Sequence, residues 1–182
     1  MSEYSNYRYV DNIHFSQRIY RLAWNLTYIV FFRYTPSFIL HKWRVFLLKL
    51  FGARIGIGCK ISSSVRVWLP FNLELGDYVA LDSDVFIYNV DTISIGSKSA
   101  ISFNSCLCTG THNIKSLLRP LASSPINIGN HVWICSYVFI MPGVNISDGS
   151  VVGACSCLSK DTQPWSIYAG NPALFKKFRS LT

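Results

Sequence analysis

The chain has 182 residues, half of them hydrophobic, with a formal charge of +8 and six cysteines, which suits one sizeable core rather than several domains. Residues 1–54 hold eight Lys or Arg against two acids and the remaining 128 hold nine against seven, so the body carries no basic stripe, and a nucleic-acid role is set aside. No short apolar run is followed by a small-residue cleavage site near the start, which predicts a cytoplasmic protein with reduced thiols.

Residues 1–52 read as a helical N-terminal cap. Between about residues 12 and 50, Ile19, Trp24, Leu26, Val30 and Phe32 are mixed with Arg18, Arg21 and Arg33. A second stretch, Phe38 to Leu50, puts Trp43, Phe46, Leu47 and Leu50 near helical spacing with Lys42, Arg44 and Lys49 between them. Two helices are predicted, broken around Thr35-Pro36, because proline disfavours the α conformation in the residue before it. The longest charge-free run, Leu22 to Phe32, has 11 residues, well short of the roughly 20 that cross a bilayer. Two roles fit: a cap over one end of the body, or a basic aromatic face on the inner surface of an anionic membrane.

Residues 53–165 carry a period of six. From Ile128 to Gln163, six hexads each open on an aliphatic residue: Ile128, Ile134, Ile140, Ile146, Val152 and Leu158. The fifth places, Val132, Val138, Val144, Ser150, Ser156 and Thr162, are small or β-branched. An amphipathic helix repeats near 3.6 and a single strand near 2, so period six fits neither. It fits a parallel β-helix of short strands and turns, with three hexads per triangular coil. The phase continues backwards with two-residue slips through Ile55, Ile61, Val67, then Leu75, Leu81, Ile87, then Ile95, Ile101, Leu107. About five coils are predicted, with Phe71, Asp91 and Thr111 among the fifth places. Gly56, Gly76, Gly96, Gly129 and Gly153 come second in their hexads, as a tightly turning backbone would need. Coils stacked at about 4.8 Å align the aliphatic residues in columns, each buried side chain contributing roughly 1.5–3 kcal/mol.

Loop 113–127, with Pro120 and Pro125, cannot continue a ladder and is predicted to leave the body. His112 ends the run Thr109-Gly110-Thr111-His112 just before that departure. The six cysteines, scattered through the coils, read as small hydrophobes; the Cys-x-Cys pairs are too close for ordinary zinc spacing, so no metal is predicted. Residues 166–182 read as a short C-terminal helix or tail with a basic cluster, Lys176, Lys177 and Arg179.

The hexads, the Thr-Gly-Thr-His turn with its loop, and the segments Asn130-His131-Val132-Trp133-Ile134, Val152-Gly153-Ala154-Cys155-Ser156, Ser159-Lys160-Asp161 and Tyr168-Ala169-Gly170-Asn171-Pro172-Ala173 together resemble the hexapeptide-repeat acyltransferases. Within that family the chain is most similar to sugar O-acetyltransferases, especially the colanic-acid exopolysaccharide branch, through Val67-Trp68-Leu69-Pro70-Phe71-Asn72-Leu73 and Gly76-Asp77-Tyr78-Val79. The resemblance implies an all-β, left-handed parallel β-helix assembled as a homotrimer with sites in the clefts between subunits. It implies acetyl-CoA as co-substrate, a saccharide hydroxyl as acceptor, and His112 as general base. Histidine suits that task because an ordinary imidazole is largely neutral at pH 7.

By the same resemblance the backbone amide of Cys135 or Ser136 would hold the oxyanion, and Trp133 would wall the acceptor pocket beside Asn113. Asp82 stands where relatives often have Asn, and Asn89 near an acid that orients acceptor or base. Ser136, Ala154, Ser159, Lys160 and Lys177 fall on coenzyme A contacts, and Leu174 replaces a frequent Arg, for which Lys176 or Arg179 would substitute. A lipid-linked acceptor would suit the aromatic N-terminus. The competing readings are an N-acetyltransferase acting on a nucleotide-linked amino sugar, a non-catalytic trimeric scaffold, and a trimeric zinc enzyme, for which only His112 and His131 lie in the coils.

Overall fold

The computed structural model describes residues 15–36 and 38–181. The first 14 residues of the predicted cap, and His14 with them, lie outside this range.

The period of six produces a three-walled prism of parallel strands. Wall one stacks Arg54–Ile55, Leu73–Leu75, Ile93–Ile95, Ile126–Ile128 and Asn145–Ile146. Wall two stacks Lys60–Ile61, Ala80–Leu81, Ala100–Ile101, Trp133–Ile134 and Val151–Val152, and wall three Arg66–Val67, Phe86–Tyr88, Cys106–Cys108, Phe139–Ile140 and Cys157–Leu158. Every hexad-opening aliphatic residue named above is buried, and the register pairs like with like, as in Ile134 opposite Ile101 and Val152. Stacking identical places keeps each inward column apolar, so no coil has to bury a charge in the core.

Four expectations change in detail. Phe71 and Thr111 are exposed and Asp91 is only half-buried; in the 20-residue coils the strand of wall one starts two residues early, and Leu73 and Ile93 fill the corner instead. The second-place glycines are required by the close approach of coils rather than by their dihedrals. A Cβ on Gly96 would stand 2.5 Å from the carbonyl carbon of Gly129. The left-handed backbone sits two places later, at Tyr78, Lys98 and His131 on one corner and Asp84, Asn104, Tyr137 and Cys155 on another.

The excursion also starts and ends earlier than loop 113–127. Gly110–His112 and Leu121–Ser123 pair as an antiparallel hairpin, and the chain is back in wall one at Ile126. The tail is no helix: Ser166–Ala169 adds a sixth layer to wall two and Leu174–Phe178 folds back antiparallel onto it. The prism therefore has five full coils and part of a sixth.

Polar side chains satisfy the corner amides. Asp77, Ser97, Asn130 and Asp148, all third in their hexads, each accept from the third-place N–H of the neighbouring coil at 2.7–2.9 Å, so a backbone turning too sharply for ladder bonds leaves no donor stranded there.

The N-terminal segment forms the expected pair, α1 (Phe15–Thr27), continued by a wider π turn Tyr28–Phe32, and α2 (His41–Leu50). They cover the first coil. Trp24, Phe32, Leu47 and Leu48 are buried with the core, the Trp24 indole donates to the Val67 carbonyl at 2.7 Å, and the Arg21 guanidinium lies 3.5 Å over the Trp68 ring. Arg44, read as a spacer between apolar residues, is fully buried. It donates to the carbonyls of Ile61 (2.6 Å) and Pro36 (3.0 Å) and to Thr35 Oγ1 (2.9 Å), clamping the break between helices to wall two. No helix among the described residues is long and apolar enough to cross a membrane.

Candidate functional site

His112 is the last residue of the first hairpin strand, paired with Leu121 across the ladder. Its Nδ1 lies 2.7 Å from the Arg119 carbonyl. A carbonyl only accepts, so Nδ1 carries a proton, and in the neutral imidazole the lone pair lies on Nε2. The turn that aims this carbonyl is specific: Arg119 has φ +44°, its N–H donates to the Ser116 carbonyl at 3.0 Å, and Asn113 N–H donates to the Pro120 carbonyl at 3.0 Å. Nε2 has no hydrogen-bond partner among the described residues and the imidazole is exposed. Sequence reasoning reached His112 but missed Arg119, whose contribution is a backbone atom that no residue-type pattern encodes. Asn113 spends its Oδ1 on the Lys115 amide at 3.0 Å and shapes the tip of the excursion.

Trp133 and Asp82 lie on wall two, while His112 departs from the end of wall three. Within one chain the imidazole and these residues therefore belong to different walls. The Trp133 ring is 49% exposed, with its indole N–H donated to Ser102 Oγ at 3.1 Å. Ser102 and Asp82 line a shallow groove of about 350 Å³ that also takes in Lys60 and Ser83. Asp82 accepts from the Ser83 amide at 2.7 Å. Asn89 is a correction: it is fully buried at a corner of the prism, its Oδ1 accepting from Leu69 N–H at 3.0 Å and its Nδ2 donating to the Leu69 carbonyl at 2.6 Å. Both ends of the amide are occupied by one backbone residue, so Asn89 serves the corner and faces no cleft.

Of the two amides considered for the oxyanion, Cys135 N–H is spent in the ladder on the Val152 carbonyl at 2.9 Å. Ser136 N–H has no acceptor among the described residues. Ser136 and Ala154 occupy the same place in adjacent coils, and Cys155 N–H donates to the Ser136 carbonyl at 3.0 Å. Ser159 and Lys160 follow the last strand of wall three, both exposed. In the tail, Lys177 pairs with Ile167 and Lys176 is the bulged residue skipped by the register; both are exposed. Arg179, the other residue expected to stand in for the missing Arg, donates its Nη1 to the carbonyls of His131 and Gly149, each at 3.0 Å, which pins the tail.

Burial pushes the Cys106 thiol up to about 11, with neighbouring Cys108 adding to the shift, and raises Cys108 and Cys135 in the same direction. These sulfurs are neutral near pH 7 and do not act as nucleophiles there.

No protein-family model matches the chain. Among individual proteins, it is 42% identical over 151 residues to a putative colanic acid biosynthesis acetyltransferase of Escherichia coli K12, covering 83% of this chain and 82% of that one. It is 56% identical over 109 residues to a probable macrolide acetyltransferase of Lysinibacillus sphaericus, covering 59% and 60%. A solved galactoside acetyltransferase in complex with coenzyme A superposes with a TM-score of 0.79 at 27% identity, over 93% of this chain and 86% of the other.

Proposed function

Since this chain belongs to the hexapeptide-repeat acetyltransferases, we propose that it transfers the acetyl group of acetyl-CoA to a saccharide hydroxyl in exopolysaccharide biosynthesis, with His112 as general base. The observation that carries the assignment of His112 is its Nδ1–H bond to the Arg119 carbonyl, which leaves Nε2 to take the proton. Removing that proton turns a weak alcohol nucleophile into an effective one as its oxygen attacks the thioester carbon. The tetrahedral oxyanion forms beside the Ser136 amide, a donor with no competing acceptor among the described residues. On collapse the C–S bond breaks, and the imidazolium returns the proton to the departing thiolate. The acetyl ester, free coenzyme A and neutral His112 remain.

The complete site needs two copies. With His112 leaving wall three and Trp133 and Asp82 on wall two, a cyclic homotrimer would set the hairpin of one prism against wall two of the next. Trp133 and Asp82 would meet the acceptor there, with Asn113 holding the hairpin turn. Ser136, Ala154 and Ser159 would line the pantetheine path, and Lys160, Lys176 and Lys177 would face the polyanionic nucleotide end. The work belongs in the cytoplasm, where acetyl-CoA is available.

The test is to incubate the purified chain with acetyl-CoA and a saccharide intermediate of a surface polysaccharide, following thiol release and product mass. A product whose acetyl group is removed by hydroxylamine marks an ester; a resistant one marks an amide and overturns O-transfer. A macrolide assayed in parallel decides the second acceptor class, which the Lysinibacillus similarity favours. Absence of acetyl transfer to any saccharide overturns the reading.

A further inference from the structure

The helical end of the prism has two apolar faces, and among the described residues the fold covers only one. Trp24 and Phe32 turn inward, with Tyr20 and Tyr28 packed beside them. On the opposite side Phe15, Ile19, Leu22, Leu26 and Ile29 follow one another at spacings of four and three, and all are more than half exposed. α2 and the turn before it expose further large apolar residues: Tyr34 and Phe38 are each 81% exposed, and Phe46 and Leu50 also face solvent. The Trp43 indole donates to the Phe31 carbonyl at 2.9 Å, which ties the two helical segments together. An apolar face this extensive is a docking surface.

Charge identifies what docks. From residue 12 to residue 73 the chain has nine Lys or Arg and no Asp or Glu, and Arg33, Lys42 and Lys49 are exposed among the apolar residues. A second copy of the face would bring cations against cations with nothing to neutralise them. An anionic lipid surface offers hydrocarbon for the aromatic and aliphatic side chains and phosphate for the cations.

We propose that the helical end of this protein docks on the anionic face of a phospholipid bilayer. The inference is independent of the chemistry at His112. It gains strength from the trimer reading, because a cyclic trimer of parallel prisms puts all three helical ends on one side, where they engage a single membrane together.

The test is vesicle flotation of the full chain. Phosphatidylcholine vesicles are compared with mixed phosphatidylcholine and phosphatidylglycerol vesicles at about 0.1 M salt, then at about 0.5 M, where a shorter screening length weakens the cationic contribution. The protein is expected to float with the anionic vesicles only, and less at high salt. L22Q/L26Q and K42E/K49E, which alter exposed side chains away from the core, should each weaken partitioning at least about tenfold, with thiol release from acetyl-CoA unchanged. The proposal is overturned if wild type stays unbound on anionic vesicles, floats equally on neutral ones, or is matched by both variants. It is equally overturned if light scattering finds an assembly larger than a trimer that L22Q/L26Q disperses, since a second copy then covers the face.

Discussion

At the scale of residues, the site turns on which atoms are already committed. His112 has one nitrogen held by Arg119 and one without a partner among the described residues, so His112→Ala should lower acetyl transfer by about 10²–10⁴-fold, the usual share of a positioned base, while circular dichroism and assembled mass stay unchanged. Since Arg119 contributes a carbonyl at φ +44°, Arg119→Gly keeps both atom and conformation and should hold kcat within a few-fold; a loss as deep as that of His112→Ala would show that the guanidinium, not the carbonyl, is what matters. The cysteines obey the same logic. With its thiol raised to about 11 by burial, Cys106 is neutral at pH 8 and gains thiolate only as pH climbs toward 11. Native protein treated with iodoacetamide at pH 8 should therefore be alkylated at exposed Cys155 and not at Cys106, and peptide mass mapping reads the difference directly. Asn89, Cys135 and Arg179 taught the converse: residue types suited to a site are spent elsewhere when the backbone has a prior claim on them.

At the scale of elements, the corner after wall one leaves no room for a side chain at Gly56, Gly76, Gly96 and Gly129, while two places later it accepts large ones. Gly96→Ala puts a Cβ into the Gly129 backbone and should cost about 1–3 kcal/mol as overpacking between coils. Two places on, Lys98 is exposed at φ +59°, a conformation glycine adopts freely, and Lys98→Gly should leave stability within about 1 kcal/mol of wild type. Urea unfolding of the two variants ranks them; a Gly96→Ala protein as stable as wild type would mean the coils can part at that corner. The cap depends on a different contact. Arg44→Met removes the donors to Ile61, Pro36 and Thr35 and strands buried acceptors, so it should cost about 2–4 kcal/mol, with exchange of amides in α2 accelerated before those of the prism.

At the scale of the whole molecule, the proposed site divides its residues between two walls and so predicts a trimer. A sedimentation experiment should return three times the 20.6 kDa of the chain. Mixing tests the shared site more sharply. His112→Ala and Trp133→Ala subunits, each inactive alone, should regain about a quarter of wild-type turnover when randomly co-assembled, because one interface in four then pairs an intact His112 with an intact Trp133. No recovery on co-assembly would place both residues in the same subunit's site, against their separate walls.

The amino-acid sequence by itself determined the prism, its three inward columns, the two capping helices and the presence of an excursion around Pro120 and Pro125. All of these follow from periodicity and from proline, which act locally or repeat with fixed spacing. His112 was legible through its position at that departure and through the resemblance of the surrounding turns. Only the tertiary structure decided that the departure is a hairpin, that Ser136 rather than Cys135 has an unspent amide, that Arg44 is a buried clamp, and that the tail adds a strand. Each of these depends on which backbone atom lies opposite which partner 9 to 48 residues away in the chain, and a hydrogen bond to a distant backbone atom leaves no signature in residue type.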